Sequence, residues 1–297
     1  MNASAHKKIA IAIFACVAVF GILAVAAMIW SLSGADRSSL SLTRRLAVVR
    51  LEGVITDAGW HTQVLREHLN NRNVAGVLLR IDSPGGAVAP SQEIYNEVAA
   101  YKAAGKPLVV SMGNTAASGG YYVASPAEII FASPGTLTGS IGVIFTLPMY
   151  QELAKKIGVD FRVLKAGEMK DIASPLRPMT ETEKAALQKL LDDTHDQFIQ
   201  DVATARNVDV NDIKAIADGM IFTGRQAYNM GMVDTLGGYA DAFRYLAMIC
   251  EVSETVRPIE KRPYTGFREW VMESAQRHLP GVGVASRPAG LYYLFVP

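Results

Sequence analysis

The chain has 297 residues, half of them hydrophobic, with 29 Lys+Arg against 28 Asp+Glu and a formal net charge of +1. That length allows a substantial core in one or two domains, and the charge balance gives no global electrostatic case for nucleic acid. The two cysteines, Cys16 in an apolar N-terminal run and Cys250, do not suggest a disulfide framework, and the sequence holds no Walker A, dinucleotide GxGxxG or HExxH pattern, so no nucleotide, NAD or zinc cofactor is expected.

His6, Lys7 and Lys8 precede Ile9 to Trp30, 22 residues without a charge. At a rise of about 1.5 Å per residue this run spans a bilayer core of about 30 Å. An apolar signal-peptide region is usually about 7–15 residues, shorter than this. The expectation is an uncleaved anchor over residues 9–30, with residues 1–8 cytoplasmic and residues 31–45 as a linker. Lys7 and Lys8 favour that orientation, while Arg37, Arg44 and Arg45 vote against it. The remaining chain would then lie on the extracytoplasmic side of the cell inner membrane.

Leu46 to Ile55 reads as a strand, and Val64, Leu65, His68 and Leu69 fall at helical spacing. Val74 to Ile81 reads as a buried strand ending in Asp82-Ser83-Pro84-Gly85-Gly86. A helix follows from Pro90 to Ala104, with proline in its first turn and Gly105 past its end. Strands are predicted at Leu108–Met112, Ile129–Ala132 and Phe161–Leu164, with an apolar run at Ile141–Phe145 and a helix over Pro148–Ile157. Thr180 and Glu183 form a capping box opening a helix to about Arg206, with Leu187, Leu190, Leu191, Phe198 and Val202 on its apolar side. Thr223 caps a short helix ended by Gly231, Met232–Asp234 reads as a strand, and Tyr239–Met248 as a helix. Alternating strands and helices predict an α/β class with one main domain over residues 46–257 and a tail over 258–297.

The stretch with most chemical content is Asn114 to Tyr122. Ser118 lies between small residues at a strand-to-helix turn, so its hydroxyl is uncrowded, and Gly119 and Gly120 let backbone approach a ligand. Amides at a helix start point toward incoming negative charge. That suits acyl transfer, in which an alkoxide attacks a carbonyl and an oxyanion forms. The plain alternative is a small-residue packing site.

A serine nucleophile needs a base. His6, His61, His68, His195 and His278 are the histidines, and none lies in a strand-end loop where a triad partner belongs. Lysine at its ordinary pKa of about 10.4 is protonated at neutral pH and serves as a base only when burial keeps it neutral. Lys165 and Lys170 are the candidates near strand ends. Asp171 beside Lys170 argues against a neutral amine unless its side chain points elsewhere, and each lysine also reads as an ordinary exposed loop residue.

Three motifs then carry a resemblance. Asp82-Ser-Pro-Gly-Gly86, Ala116-Ala-Ser-Gly-Gly-Tyr121 and Thr138-Gly-Ser-Ile-Gly142, followed by Gly167-Glu-Met-Lys-Asp171 and Gly231-Met-Val-Asp234, are similar to the signal peptide peptidase A family, short single-repeat bacterial form, within the ClpP/crotonase-like group. The resemblance covers roughly Leu46 to Ile249. It implies an α/β ClpP/crotonase-like fold of repeated β-β-α units behind one transmembrane helix. It implies Ser118 as nucleophile, Lys170 as general base and Ser140 as the residue orienting the lysine. Gly85 or Gly86, with Gly119, would supply the oxyanion amides. It further implies a ring- or dome-shaped homo-oligomer at the lipid bilayer, cutting remnant signal peptides and unfolded apolar peptides without ATP, with Ser118 and Lys170 of one site drawn from neighbouring subunits. A non-enzymatic membrane quality-control scaffold and a crotonase-like acyl-CoA enzyme are the competing readings. The C-terminal Leu291-Tyr-Tyr-Leu-Phe-Val-Pro297 is itself an apolar peptide, expected either to pack on a subunit neighbour or the membrane surface, or to enter a substrate groove.

Overall fold

The computed structural model describes residues 44–261 and 291–295. The anchor expected at residues 9–30 lies outside them. Among the described residues no helix is long and apolar enough to cross a membrane.

The architecture is mixed α/β around a parallel-dominated sheet. In chain order the elements are β1 (Arg45–Glu52), α1 (Gly59–Asn70), β2 (Val74–Ser83), β3 (Gly85–Ala87), α2 (Val88–Ala103), β4 (Leu108–Ala117), α3 (Gly119–Ala124), β5 (Ile129–Ala132) and β6 (Leu137–Gly139). Then come α4 (Gln151–Lys156), a 3-10 turn (Glu168–Asp171), α5 (Glu181–Arg206), α6 (Val210–Lys214), β7 (Ile221–Thr223), α7 (Gly224–Asn229), β8 (Thr235–Leu236), α8 (Tyr239–Ile249), β9 (Ile259–Glu260) and β10 (Tyr292–Leu294).

The main sheet runs β7-β6-β4-β2-β1-β9, with β5 beside β4 and β8 beside β5. Every pairing in it is parallel except β6 with β7. A parallel sheet needs cover on both faces, and the side-chain alternation of β1 supplies it. Ala47, Val49 and Leu51 join the core under α1 and α2, whereas Leu46 and Val48 join Ala242 and Leu246 of α8. Gly76 on β2 lets α8 come close: a Cβ there would stand 2.6 Å from Cys250 Sγ and 2.9 Å from Leu246 Cδ1.

Strand β4 changes neighbours midway. Val109–Ser111 pair with β5, and Thr115–Ala117 pair with β6. The strand therefore runs to Ala117, beyond the Met112 end expected from its apolar run. Thr115 and Ala116 keep extended backbone because β6 and Ser83 of β2 pair with them.

Two other strand expectations, at Phe161–Leu164 and Met232–Asp234, are corrected. Phe161–Leu164 is not a strand; these residues are exposed, Leu164 at 99%, with no sheet edge beside them to bury or pair them. The run Ile141–Phe145 contributes a single antiparallel bridge, Ile144 with Tyr292. In place of the strand expected at Met232–Asp234, β8 forms directly after it at Thr235–Leu236: the Ile130 amide donates to the Asp234 carboxylate (2.8 Å), and β5 meets β8 only from Phe131 onward. The capping box at Thr180/Glu183 forms as expected, and Thr223 caps its helix as expected, in a box that Gln226 completes.

Filling the Gly76 contact tests the packing of α8 on the sheet. Gly76→Ala should lower stability by about 1–3 kcal/mol, read as a lower urea midpoint with an unchanged denaturant slope.

Candidate active site

The site begins where β4 ends. Ser118 caps α3 with φ 51° and ψ −117°, a conformation that non-glycine residues rarely adopt. It is the sharp strand-to-helix turn expected of an exposed-hydroxyl nucleophile. Here the hydroxyl is covered: Ser118 is 1% exposed, and its Oγ is buried with no hydrogen-bond partner. A buried hydroxyl without a partner costs free energy, and such costs cluster where function needs the group unpaired.

The turn is held from the neighbouring strand. The Ser118 amide donates to the Gly139 carbonyl (2.7 Å), and the Ser140 amide donates to the Met220 carbonyl (2.8 Å). Ser140 also has positive φ, 53°. Two strained serines are thus brought side by side by the β4–β6 register, in which Ala117 pairs with Gly139. Ser140 and His195 line a cleft of about 400 Å³ that also touches Ile144 and Leu294.

Gly85, Gly86 and Gly119 converge as expected. A Cβ on Gly85 would stand 2.6 Å from the Gly119 nitrogen, and a Cβ on Gly119 would stand 3.1 Å from the Gly86 nitrogen. Gly85 also has φ +96°. The three are not equivalent, however. The Gly85 amide donates to the buried Ser83 hydroxyl (3.1 Å), and its carbonyl accepts from the Ile55 amide (2.9 Å). Gly85 shapes the turn, and the outward amides near Ser118 are those of Gly86 and Gly119. Ser83 went unrecognised in the sequence; its place two residues before Gly85 was the available signal.

Among the described residues no histidine serves Ser118; His6 and His278 lie outside them. His61 Nε2 bonds with the Arg50 carbonyl (3.1 Å) and His195 Nε2 with the Ile141 carbonyl (3.3 Å), while His68 is buried on α1. Lys165 is engaged elsewhere: its Nζ donates to Asp171 Oδ1 (2.5 Å) and to the Glu168 carbonyl (2.7 Å). Lys170 is different. It lies on the exposed face of the 3-10 turn, and its side chain makes no hydrogen bond or ion pair with any described residue, Ser118 and Ser140 included. Within a single chain the expected Ser118–Lys170 contact is therefore not made.

Asp171 does point away from Lys170. Its carboxylate is taken by Arg177 (Nε to Oδ2, 2.9 Å) and Lys165, which hold it well below the usual carboxylate range. Arg177 continues to Glu183 (Nη1 to Oε2, 2.9 Å), the capping residue of α5. Arg177 and the Thr180 amide hold Glu183 down to about 2. The Lys170 turn is thereby braced against the start of α5. Opposite charges at 171, 177 and 183 around a capping box were the sequence signal for this brace.

Comparison with known proteins fits this geometry. The model of "Peptidase family S49" matches residues 100–253, a span containing Ser118, Ser140 and Lys170. A Synechocystis sp. chain named as a putative protease is 40% identical over 224 residues, covering 75% of this chain and 78% of the relative. The "Putative signal peptide peptidase SppA" of Enterococcus faecium is 36% identical over 237 residues, covering 75% and 69%. "Protease 4" of Haemophilus influenzae is 33% identical over 211 residues, 68% of this chain but 34% of the relative, so the chain spans about a third of that protein.

Two outcomes test the site. Gly119→Ala, whose Cβ would crowd Ser91 Oγ at 2.8 Å, should lower kcat on a peptide by about 10²–10³ with the circular dichroism spectrum retained. Separately, a carboxylate with a lowered folded pKa stabilises above its unfolded value of about 4.3 and loses that contribution as pH falls. The thermal midpoint advantage of wild type over Arg177→Ala should therefore be full above pH 5 and shrink as pH approaches 2. A constant difference across that window would refute the brace.

Proposed function

The chain belongs to peptidase family S49, and from that membership we propose how this serine peptidase works: Ser118 attacks the peptide carbonyl, the Gly86 and Gly119 amides receive the oxyanion, and Lys170 of a second copy of the chain takes the serine proton. The observation that carries the reading is the pairing of deficits. Ser118 Oγ is buried and unpartnered, and Lys170 is exposed and unpartnered among the described residues. Each lacks what the other offers.

The surface around Lys170 supports a second copy. Between residues 149 and 164 the chain exposes Met149, Leu153, Ile157, Phe161 and Leu164. On the N-terminal half of α5, Leu190 of the expected apolar stripe is 54% exposed. Several large apolar side chains left exposed in one stretch are what an interaction site would supply, and a ring or dome of like chains would bury them. Burial there would also remove Lys170 from water, which a lysine base requires. In this reading Ser140, the residue after Gly139 of the Ala117–Gly139 pair, orients the incoming amine.

The substrates in this reading are unfolded apolar peptides, remnant signal peptides above all. The 22 uncharged residues from Ile9 to Trp30 support an anchor in the inner membrane with the peptidase on its extracytoplasmic side. Such an anchor would place the site where those peptides remain after secretion.

Subunit mixing tests the shared site. Ser118→Ala and Lys170→Ala should each abolish peptide hydrolysis, and assemblies mixed from both should recover about a quarter of wild-type activity, since half of the interfaces pair a mutant with its complement and half of those are competent. Verified mixed assemblies with no recovery would refute the cross-subunit pairing.

A further inference from the structure

Ser118 keeps a backbone conformation that it would not keep alone. Its φ of 51° costs free energy and persists only where the surroundings over-determine it. On one side the Gly139 carbonyl accepts from its amide (2.7 Å), and on the other its own carbonyl accepts from the Tyr122 amide (2.8 Å), one turn into α3. That helix has six residues and no side-chain cap at its start, too few to be stable by itself. Its place is therefore set by what its side chains reach.

Its two tyrosines reach different parts of the fold. The Tyr121 hydroxyl donates to the Met232 carbonyl (3.2 Å). The Tyr122 hydroxyl donates to the Asp201 carboxylate on α5, a charge-assisted bond and so the stronger of the two. Tyr122 is buried, with its ring edge-on to Phe198 at 5.0 Å between centroids. Burial and the facing carboxylate raise its phenol above the ordinary value, so it remains a donor.

Asp201 holds a second helix as well. Its backbone carbonyl accepts from the Tyr95 hydroxyl (3.1 Å), and the Tyr95 and Tyr122 rings lie 4.7 Å apart between centroids. Tyr95 belongs to α2, which begins at Val88, immediately after β3, the strand that carries Gly86. Helix α3 begins at Gly119. The two helices that start at the Gly86 and Gly119 amides are thus both pinned on one residue of α5. They meet where the Ser91 hydroxyl of α2 would stand 2.8 Å from a Cβ on Gly119.

We propose that Asp201 is a positioning residue for the oxyanion amides, acting through Tyr122 and Tyr95. Its carboxylate fixes α3 and with it the Gly119 amide, and its carbonyl fixes α2 behind the Gly86 amide. The inference rests on Ser118 as the nucleophile and on those two amides as the oxyanion donors, and adds what sets their separation. Such donors act at hydrogen-bond distance from a charge that exists only in the transition state. A small drift of α3 is therefore felt in the chemical step and hardly in substrate binding.

The assay follows peptide hydrolysis by the full chain in detergent, and its inhibition by a peptide aldehyde, whose carbonyl carbon bonds to Ser118 Oγ and whose oxygen then faces the two amides. Tyr122→Phe and Asp201→Ala should each lower kcat about tenfold with KM little changed, and each should weaken the aldehyde by a similar factor. Asp201→Asn, which keeps an oxygen acceptor, should recover most of that loss. The Tyr122→Phe/Asp201→Ala pair should be no worse than either single change, because both remove one bond. Gly76→Ala, which weakens the fold on the far face of the sheet, should leave kcat as it is. Should Asp201→Ala fail to fold, Tyr122→Phe alone decides the matter. Unchanged kcat in Tyr122→Phe, a loss confined to KM, or an equal loss of kcat in Gly76→Ala would overturn the inference. Continued cleavage by Ser118→Ala would instead overturn the serine reading.

Discussion

Everything in the site depends on backbones approaching one another with no room for a side chain. At Gly86 a Cβ would meet the Ile55 carbonyl at 2.0 Å, and at Gly85 it would meet the Gly119 nitrogen at 2.6 Å. Only glycine permits this approach. In the proposed reading the gain is electrostatic: amides fixed by strand and helix geometry would face the developing negative charge and need no reorganisation. Ser118, with its positive φ, accepts strain to place its hydroxyl beside them.

The rest of the fold secures that approach. The split pairing of β4 brings β6 against the strand end, and with it the carbonyl of Gly139 that anchors the Ser118 amide. The sheet's other half is spent on stability, with cores on both faces of β1 and β2. The Arg177 brace serves a different end. By engaging Asp171 and Glu183 together, it fixes the turn bearing Lys170 and draws the neighbouring carboxylate away from that amine. In the proposed reading, Ser118 and Lys170 are each prepared within one chain, and a second copy would bring them together.

Much of this was legible in the sequence for identifiable reasons. The buried strands were apolar runs with no alternative, and the capping boxes at Thr180 and Thr223 announced their helices through local chemistry. Gly86 and Gly119 stood in glycine-rich turns after strands, where close approach was the natural reading. What sequence could not supply was decided by neighbours remote in the chain. The extension of β4 to Ala117 depends on pairing with β6, and the division of labour between Gly85 and Gly86 depends on the Ser83 hydroxyl. The apolar Phe161–Leu164 looked like a strand because its composition favours burial, and among the described residues it stays exposed.

Strand β10 is held between β3 and Ile144 mainly by main-chain amides and carbonyls. A hold of that kind is blind to most of what distinguishes one segment from another, but it sets a condition on conformation. Any guest laid on these edges must present several consecutive residues in extended form. A loose segment loses conformational entropy in that ordering, roughly 1–2 kcal/mol per residue, whereas a native domain must first break its own helix or sheet contacts to offer the same stretch. Under the proposed peptidase reading, that difference sets unstructured segments apart from finished proteins at the level of the backbone.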